Sequence, residues 1–141
     1  MCIRDRINST VSSNSTSINN ANGSGSQRGG GIYISGIGTA EIINSTISDN
    51  RTPDIQSSDE ALSSGGGGIF NRGNLSLTNT TIQGNYSNYS GGGLYNASGL
   101  SGNPGGIADI NQSTITGNAS GVDPDSTGDQ AAVSFIPPAL H

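Results

Sequence analysis

Residues 79–95 read NTTIQGNYSNYSGGGLY, and both halves of this stretch recur along the chain. The first half returns as a seven-residue phrase that starts at Asn8, Asn44, Asn79 and Gln112. These starts lie 36, 35 and 33 positions apart (8 to 44, 44 to 79, 79 to 112). The second half, three glycines followed by Ile or Leu and an aromatic residue, occupies residues 29–33, 66–70 and 91–95. Periods between about 20 and 50 residues are typical of solenoids, whose units complete a core only by stacking on their neighbours.

The residue types within each unit favour strands over helices. The central apolar residue of the phrase is β-branched in every copy, and residues 75–77 alternate apolar and polar side chains. No stretch shows an amphipathic helical stripe. Each unit is therefore expected to hold three short strands, one after the glycines, one at Leu75–Leu77 and its counterparts, and one at the Thr-Ile step. Gly and Asn supply the positive φ for the bends between them. The predicted fold is all-β, a parallel β-helix of about four coils with inserted loops.

Stacking at about 4.8 Å per coil places equivalent residues in columns that run along the solenoid. Amide side chains in an internal column can donate and accept along the stack, which satisfies polar groups that a bend would otherwise leave unpaired. The predicted structural columns are Asn8, Asn44, Asn79 and Gln112; Asn14, Asn50, Asn85 and Asn118; and Val11, Ile47, Ile82 and Ile115.

Composition and charge argue against several classes of function. Gly, Ser, Asn and Thr make up 73 of the 141 residues, and the net charge is −5 with five Arg and no Lys. This balance gives nucleic-acid binding no electrostatic support. The single Cys2 and the single His141 exclude Cys/His metal clusters and His-based triads within the chain. No apolar run is long enough to predict a transmembrane helix.

The chain divides into three predicted segments. Residues 1–6 (MCIRDR) resemble an adapter-derived leader on translated environmental sequences, so we expect a non-native leader and a chain that is a fragment. The β-helix repeats cover 7–120, with insertions at 15–28, 51–65 and 97–106. The Pro- and Asp-containing tail, 121–141, is expected to be irregular apart from an apolar stretch at 131–136 that could add one strand.

The stretch Ile82-Gln83-Gly84-Asn85, followed by the glycine run at 91–95, resembles the polymorphic outer-membrane-protein repeat. In that repeat an apolar residue three positions before Asn is paired with a Gly-Gly-small-Ile run. More broadly, residues 7–120 resemble the right-handed parallel β-helix repeat proteins of the pectate-lyase-like superfamily. Ile or Val replaces the usual Phe of the first motif, and Gly stands where Ala is usual. The resemblance implies a right-handed coil and a secreted or cell-surface protein.

Enzymes of that superfamily hold Ca²⁺ with carboxylates and remove a proton with a basic residue, all projecting from neighbouring coils. The corresponding outward positions of the middle strand are Glu41, Ser76 and Asp109, and no Arg or Lys shares the column. General acid or base catalysis needs a positioned partner. We therefore expect a solvated surface column and no catalytic residues in this chain.

Two other sets of residues are candidates for binding. Tyr33, Phe70 and Tyr95 each follow an inward aliphatic residue, so strand alternation predicts an outward aromatic strip that could bind a ligand such as a sugar ring, pack under a loop or stack on itself. In the tail, oxygen-bearing residues have the spacing of the start of a calcium loop, but position twelve is Ser134 rather than Glu, and a plain turn is the alternative. The candidate calcium ligands are Asp123, Asp125, Thr127 and Asp129; no other cofactor is expected.

These observations lead to one functional expectation and two alternatives. We expect a non-enzymatic, extracellular or cell-surface (outer-membrane) repeat segment that presents a surface for adhesion or for binding a glycan or protein, next to further coils of the full-length protein. The first alternative is part of a polysaccharide lyase or hydrolase whose catalytic coils lie outside this segment. The second is a purely structural spacer. Function does not follow from the fold itself.

Overall fold

The computed structural model of the chain describes residues 3–16, 28–52, 65–88, 90–97, 105–121 and 133–135. Every regular element within these ranges is a strand, which confirms the all-β class. The strands are β1 (Ile3–Ile7), β2 (Thr10–Ser12), β3 (Ile32–Ile34), β4 (Thr39–Ile43), β5 (Thr46–Ser48), β6 (Arg51–Thr52), β7 (Ile69–Asn71), β8 (Asn74–Thr78), β9 (Thr81–Gln83), β10 (Tyr86–Ser87), β11 (Leu94–Asn96), β12 (Ile107–Asn111), β13 (Thr114–Thr116), β14 (Ala119–Ser120) and β15 (Val133–Phe135).

The strands form four parallel sheets that run along the stack. Sheet A has the order β1-β4-β8-β12, sheet B β2-β5-β9-β13, sheet C β6-β10-β14 and sheet D β3-β7-β11-β15. Neighbours within a sheet are one repeat apart in sequence, so each coil pairs with the coils before and after it. This pairing confirms the parallel β-helix. Its right-handedness, which the resemblance implies, stays a prediction.

Within the described residues three successive units, β3–β6, β7–β10 and β11–β14, hold four strands each where the sequence predicts three. The three predicted strands are present, for example as β7, β8 and β9 in one coil. The additional strands, β6, β10 and β14, have two residues each, which is too short for a visible alternation of apolar and polar residues. Residues 51 and 52, predicted to begin an inserted loop, form β6 instead. Most of the three predicted insertions lies outside the described residues.

The sheets extend beyond the predicted repeat region at both ends. β1 begins at Ile3, within the segment predicted to be a leader, and pairs with β4 over its whole length. β15 lies within the predicted tail and pairs with β11. Backbone pairing therefore continues past the 7–120 boundaries expected from the repeats.

Aliphatic side chains from sheets A, B and D fill the interior. The strand register pairs Ile47 with Ile82 and Ile42 with Leu77, and all four are at most 1% exposed. Fully burying such a side chain stabilises the folded chain by about 1.5–3 kcal/mol, and here the neighbouring coils provide the burial. The buried core contains Ile34, Ala40, Ile42, Ile47, Ile69, Leu75, Leu77, Ile82 and Leu94, with Val11 and Ile115 partly buried beside it.

The bends between sheets A and B explain one predicted column. The residue at each bend has the left-handed conformation, with φ of 51° at Asn8, 50° at Asn44, 48° at Asn79 and 49° at Gln112. Among residues with a Cβ, Asn adopts this backbone conformation with little strain, because its short polar side chain can form hydrogen bonds with the nearby backbone. The first glycine of each run also has positive φ: 64° at Gly29, 68° at Gly66 and 60° at Gly91. The recurrent Asn and the first glycine thus turn the chain.

Candidate functional site

A buried amide ladder joins successive coils at the bend between sheets B and C. Asn14 Nδ2 donates to Asn50 Oδ1 at 2.9 Å, Asn50 Nδ2 to Asn85 Oδ1 at 2.9 Å, and Asn85 Nδ2 to Asn118 Oδ1 at 2.9 Å. The backbone N–H of each donor residue reaches the same oxygen at 3.0–3.1 Å. Asn50 and Asn85 are 0% and 1% exposed. The ladder therefore satisfies the amides in an interior where an unpaired polar group would be costly.

The second predicted amide column lies at the surface. The structure aligns the bend residues Asn44 and Asn79, and Asn79 Nδ2 donates to Asn44 Oδ1 at 2.8 Å, but both side chains are exposed. The exposed column also includes Asn8 and Gln112. The expectation that both columns are internal is wrong for this one. These residues recur because of their backbone conformation, so repetition of Asn in the sequence does not by itself indicate burial.

At the bend between sheets A and B, the side chains that form hydrogen bonds between coils belong to the second residue of the phrase. The sequence analysis did not predict this role. Ser9 N–H donates to Ser45 Oγ at 3.1 Å, and Thr80 N–H donates to Ser113 Oγ at 3.1 Å. Ser45 and Thr80 are 5% and 1% exposed. The available signal was a hydroxyl residue following the first position of every copy.

Two further buried polar contacts between coils also escaped the sequence reasoning. Asn71 Nδ2 donates to Asn96 Oδ1 at 2.7 Å, just before the chain enters sheet A. Thr52 Oγ1 donates to Ser87 Oγ at 2.9 Å in sheet C. In the first described coil of sheet D, Ile34 occupies the register position of Asn71, so the column is not uniform and the sequence period does not reveal it.

The aromatic residues predicted to form an outward strip do lie in register, but their exposure differs. The ring centroids of Tyr33 and Phe70 are 5.7 Å apart, and those of Phe70 and Tyr95 are 5.0 Å apart. Tyr33 is 47% exposed, whereas Phe70 and Tyr95 are 0% and 3% exposed. The strip therefore stacks on itself and is mostly covered, as two of the alternatives left open by the sequence expect, and only Tyr33 is exposed. Tyr33 is the ring that a ligand could reach. Phe70 packs against Tyr33, and Tyr95 packs against Phe70.

Several neighbours account for the burial of the two inner rings. Phe70, Tyr95 and Ala97 form a hydrophobic cluster separate from the main core. The backbone of Gly65 lies against Tyr95, since a Cβ placed on Gly65 would be 3.2 Å from Tyr95 Cγ. Strand alternation predicts that these side chains point away from the core, but it does not predict which other residues bury them on the outer face.

Two arginines lie close to the central ring of the aromatic stack. The guanidinium carbons of Arg28 and Arg72 each lie 5.6 Å from the centroid of Phe70. Both distances are within the range of cation–π attraction. Two of the five basic residues of an acidic chain thus lie against Phe70, the buried ring on which Tyr33 stacks.

The hydroxyl of Tyr95 makes stability depend on pH in the alkaline range. Burial raises the pKa of Tyr95, and the positive charge of Arg72 partly opposes the shift. Because the unfolded chain then loses this proton more readily, the free energy of unfolding should be steady below about pH 10 and fall as the pH rises above it. Urea midpoints measured from about pH 8 to about pH 11 check this expectation. Tyr95→Phe should show a shallower fall, and equal slopes for both proteins would contradict it.

The carboxylate column lies on the outer face of sheet A, as the alternation requires. Register pairs Glu41 with Ser76 and Ser76 with Asp109, and both acids are exposed. Asp109 Oδ1 accepts a hydrogen bond from Asn111 Nδ2 at 3.0 Å. Register adds Asp5 beside Glu41, a position the sequence reasoning did not include. The absence of a catalytic role stays a prediction.

The candidate calcium ligands Asp123, Asp125, Thr127 and Asp129 lie outside the described residues. In the part of the chain that the structure describes, no three His, Cys, Asp or Glu residues form a group suited to a metal ion. The same described ranges contain no helix long and apolar enough to cross a membrane. Comparison with protein-family models, with curated proteins and with solved structures gives no match to this chain.

Proposed function

We propose that this chain is a non-enzymatic segment of an extracellular or cell-surface β-helical protein, and that the outer face of sheet D presents Tyr33 for adhesion. The ligand class is a surface glycan or a protein. The observation that carries the proposal is a half-exposed tyrosine ring stacked on two buried rings.

The stack favours binding because it orders Tyr33 before a ligand arrives. Phe70 supports the ring at a centroid distance of 5.7 Å and is itself supported by Tyr95 at 5.0 Å. A side chain held in place loses less conformational entropy on binding than a free one. An aromatic face also offers apolar area with a polar hydroxyl at its edge, which suits sugar rings and protein surfaces. Arg28 and Arg72 add positive charge beside Phe70.

The residues of the repeat support the proposed location. The motif pair around Ile82–Asn85 and residues 91–95 resembles polymorphic outer-membrane-protein repeats, within the broader pectate-lyase-like β-helices. We propose membership of that group and, with it, a surface location. A stack of hydrogen-bonded coils suits an extended surface rather than an enclosed pocket.

A glycan array that includes neutral and acidic sugars tests the proposal. The folded chain should bind a subset of the array, and Tyr33→Ala should weaken that binding about tenfold, the loss expected for one stacking contact with its buried area. Ile107→Ala is the matched control, because Ile107 is 62% exposed and lies on sheet A. Equal binding by the Tyr33→Ala and Ile107→Ala variants would overturn the assignment. A blank array would favour the structural spacer.

A further inference from the structure

Asn-x-Ser/Thr triplets recur along the chain, and the structure divides them into two sets. This triplet is the acceptor motif for N-glycosylation, in which a sugar is attached to the side-chain nitrogen of Asn. One set begins at residues of the buried ladder, as at Asn50 (NRT) and Asn85 (NYS). The other set begins at the exposed bend between sheets A and B, as at Asn44 (NST) and Asn79 (NTT). The fold therefore decides which of these asparagines an enzyme can reach.

Internal packing accounts for both polar residues of a buried triplet. Asn50 is 0% exposed, and its Nδ2 donates to Asn85 Oδ1 and to Val11 O, both at 2.9 Å, which uses both hydrogens of that nitrogen. The third residue, Thr52, is 1% exposed and donates from Oγ1 to Ser87 Oγ at 2.9 Å. A sugar on Asn50 would replace a bond between coils and would need space that close packing does not leave. This set is closed to modification in the folded chain.

The triplet at Asn44 has the opposite arrangement. The Asn44 side chain is exposed, and although its Oδ1 accepts from Asn79 Nδ2 at 2.8 Å, no described residue accepts a hydrogen bond from Asn44 Nδ2. The middle residue, Ser45, is 5% exposed. Thr46 is half-buried and lies on the outer face of sheet B, because the next residue, Ile47, points into the core. The two residues that define the motif thus both lie on the outside of the bend.

Positive φ restricts the residue at this bend but does not by itself require a carboxamide. Glycine satisfies the same restriction, and at the bend between sheets B and C two of the four equivalent positions are Gly84 and Gly117. The bend between sheets A and B instead has Asn in three copies of the phrase and Gln in the fourth, and Thr follows two positions later in every copy. Because these carboxamides are exposed, their recurrence indicates a use at the surface.

We propose that Asn44 is an N-glycosylation site of the folded chain. The donor class is a sugar linked to a nucleoside diphosphate. The anomeric carbon of the sugar forms a bond to Nδ2 while its bond to the phosphate oxygen breaks, the nucleoside diphosphate leaves, and Nδ2 releases one proton to a base of the transferase. Asn44 is favoured over Asn79, because one hydrogen of Asn79 Nδ2 is already bonded to Asn44 Oδ1. This inference does not rest on ligand binding at Tyr33.

Incubation with UDP-glucose and an asparagine glucosyltransferase that recognises Asn-x-Ser/Thr tests the proposal, with mass spectrometry to locate the sugar. Synthetic peptides centred on Asn44 and on Asn50 give the rate of each triplet without a fold, and circular dichroism verifies that the chain is folded. Asn44 in the folded chain should react within about tenfold of its peptide, whereas Asn50 should react at least about a hundredfold more slowly than its peptide, because it is reached only when the stack opens.

A loss variant and a gain variant follow from the fourth copy of the phrase. Asn44→Gln copies the residue found at position 112 and should abolish modification at residue 44 while the chain stays folded. Gln112→Asn completes a triplet with Ser113 and Thr114 at an exposed bend residue with φ of 49°. It should add one modified site at residue 112, two coils away from residue 44.

Three results would overturn the proposal. Absence of sugar at Asn44 of the folded chain, whether or not its peptide reacts, would show that the bend is not an acceptor. Equal rates at Asn44 and Asn50 in the folded chain would show that the fold does not select between the two sets. A folded Gln112→Asn chain without an added site would show that an exposed triplet at this bend is not sufficient.

Discussion

Asn85→Ala is expected to destabilise the chain by about 3–5 kcal/mol, enough to abolish cooperative folding of a small stack. The Asn85 side chain accepts from Asn50 N–H and Nδ2, and it donates to Ile47 O, Gln83 O and Asn118 Oδ1. Truncation leaves buried groups on both neighbouring coils without partners and opens a cavity between them. Each unsatisfied buried group costs about 1–3 kcal/mol.

Urea unfolding followed by circular dichroism measures this effect. Asn111→Ala is the matched control, because Asn111 is an exposed asparagine whose side chain donates to the exposed Asp109 of the same strand. Its free energy of unfolding should change by no more than about 0.5 kcal/mol. Similar unfolding midpoints for the two variants would show that the buried ladder does not hold the coils together.

Gly67→Ala should be at least as damaging, for a steric reason. A Cβ at Gly67 would lie 2.3 Å from Tyr86 O and 2.4 Å from Gly92 O. Both atoms belong to the backbone, one in β10 and one in the glycine run of the following coil, so neither can move without displacing a coil. We expect a loss of about 3 kcal/mol or more, at the upper end for overpacking.

Gly36→Ala supplies the matched comparison for Gly67. A Cβ at Gly36 would have no atom within 4 Å. Alanine also restricts the unfolded chain. The free energy of unfolding of this variant should therefore equal that of the natural chain or exceed it by up to about 1 kcal/mol, as measured by urea unfolding. If both alanine variants were equally stable, close approach of the backbones would not explain the middle glycine of each run.

The sequence period was sufficient to predict three strands of each unit and their stacking, since the repeated Thr-Ile step aligns Ile47 with Ile82 as the register requires. The side-chain environment was harder to predict. The positions of Asn79 and Asn85 both carry an amide residue in every copy of the phrase, yet Asn79 is an exposed bend residue with φ of 48° and Asn85 is buried in a ladder. Recurrence indicates that each coil needs the same residue type at a position. It does not indicate whether that residue is needed for its backbone conformation or for its hydrogen bonds.

The glycine runs and the aromatic residues show the same limit. The first glycine of a run is needed for its positive φ, as predicted, but the second is needed because a neighbouring coil passes within contact distance. That distance depends on how tightly the coils turn, which residue type alone does not give. Strand alternation places Phe70 on the outer face of its sheet, but Phe70 is buried there because other parts of the chain pack over it.

The amide ladder has a consequence for how such proteins can change over time. Because Asn50 and Asn85 make equivalent bonds to the coils on either side, either could take the place of the other without altering what those coils meet. Duplication or loss of one whole turn would therefore leave the surviving turns in unchanged surroundings, whereas gain or loss of one residue within a strand would shift the rest of that strand out of register. Selection can adjust the reach of such a rod in whole-turn increments while the chemistry of its interior stays constant.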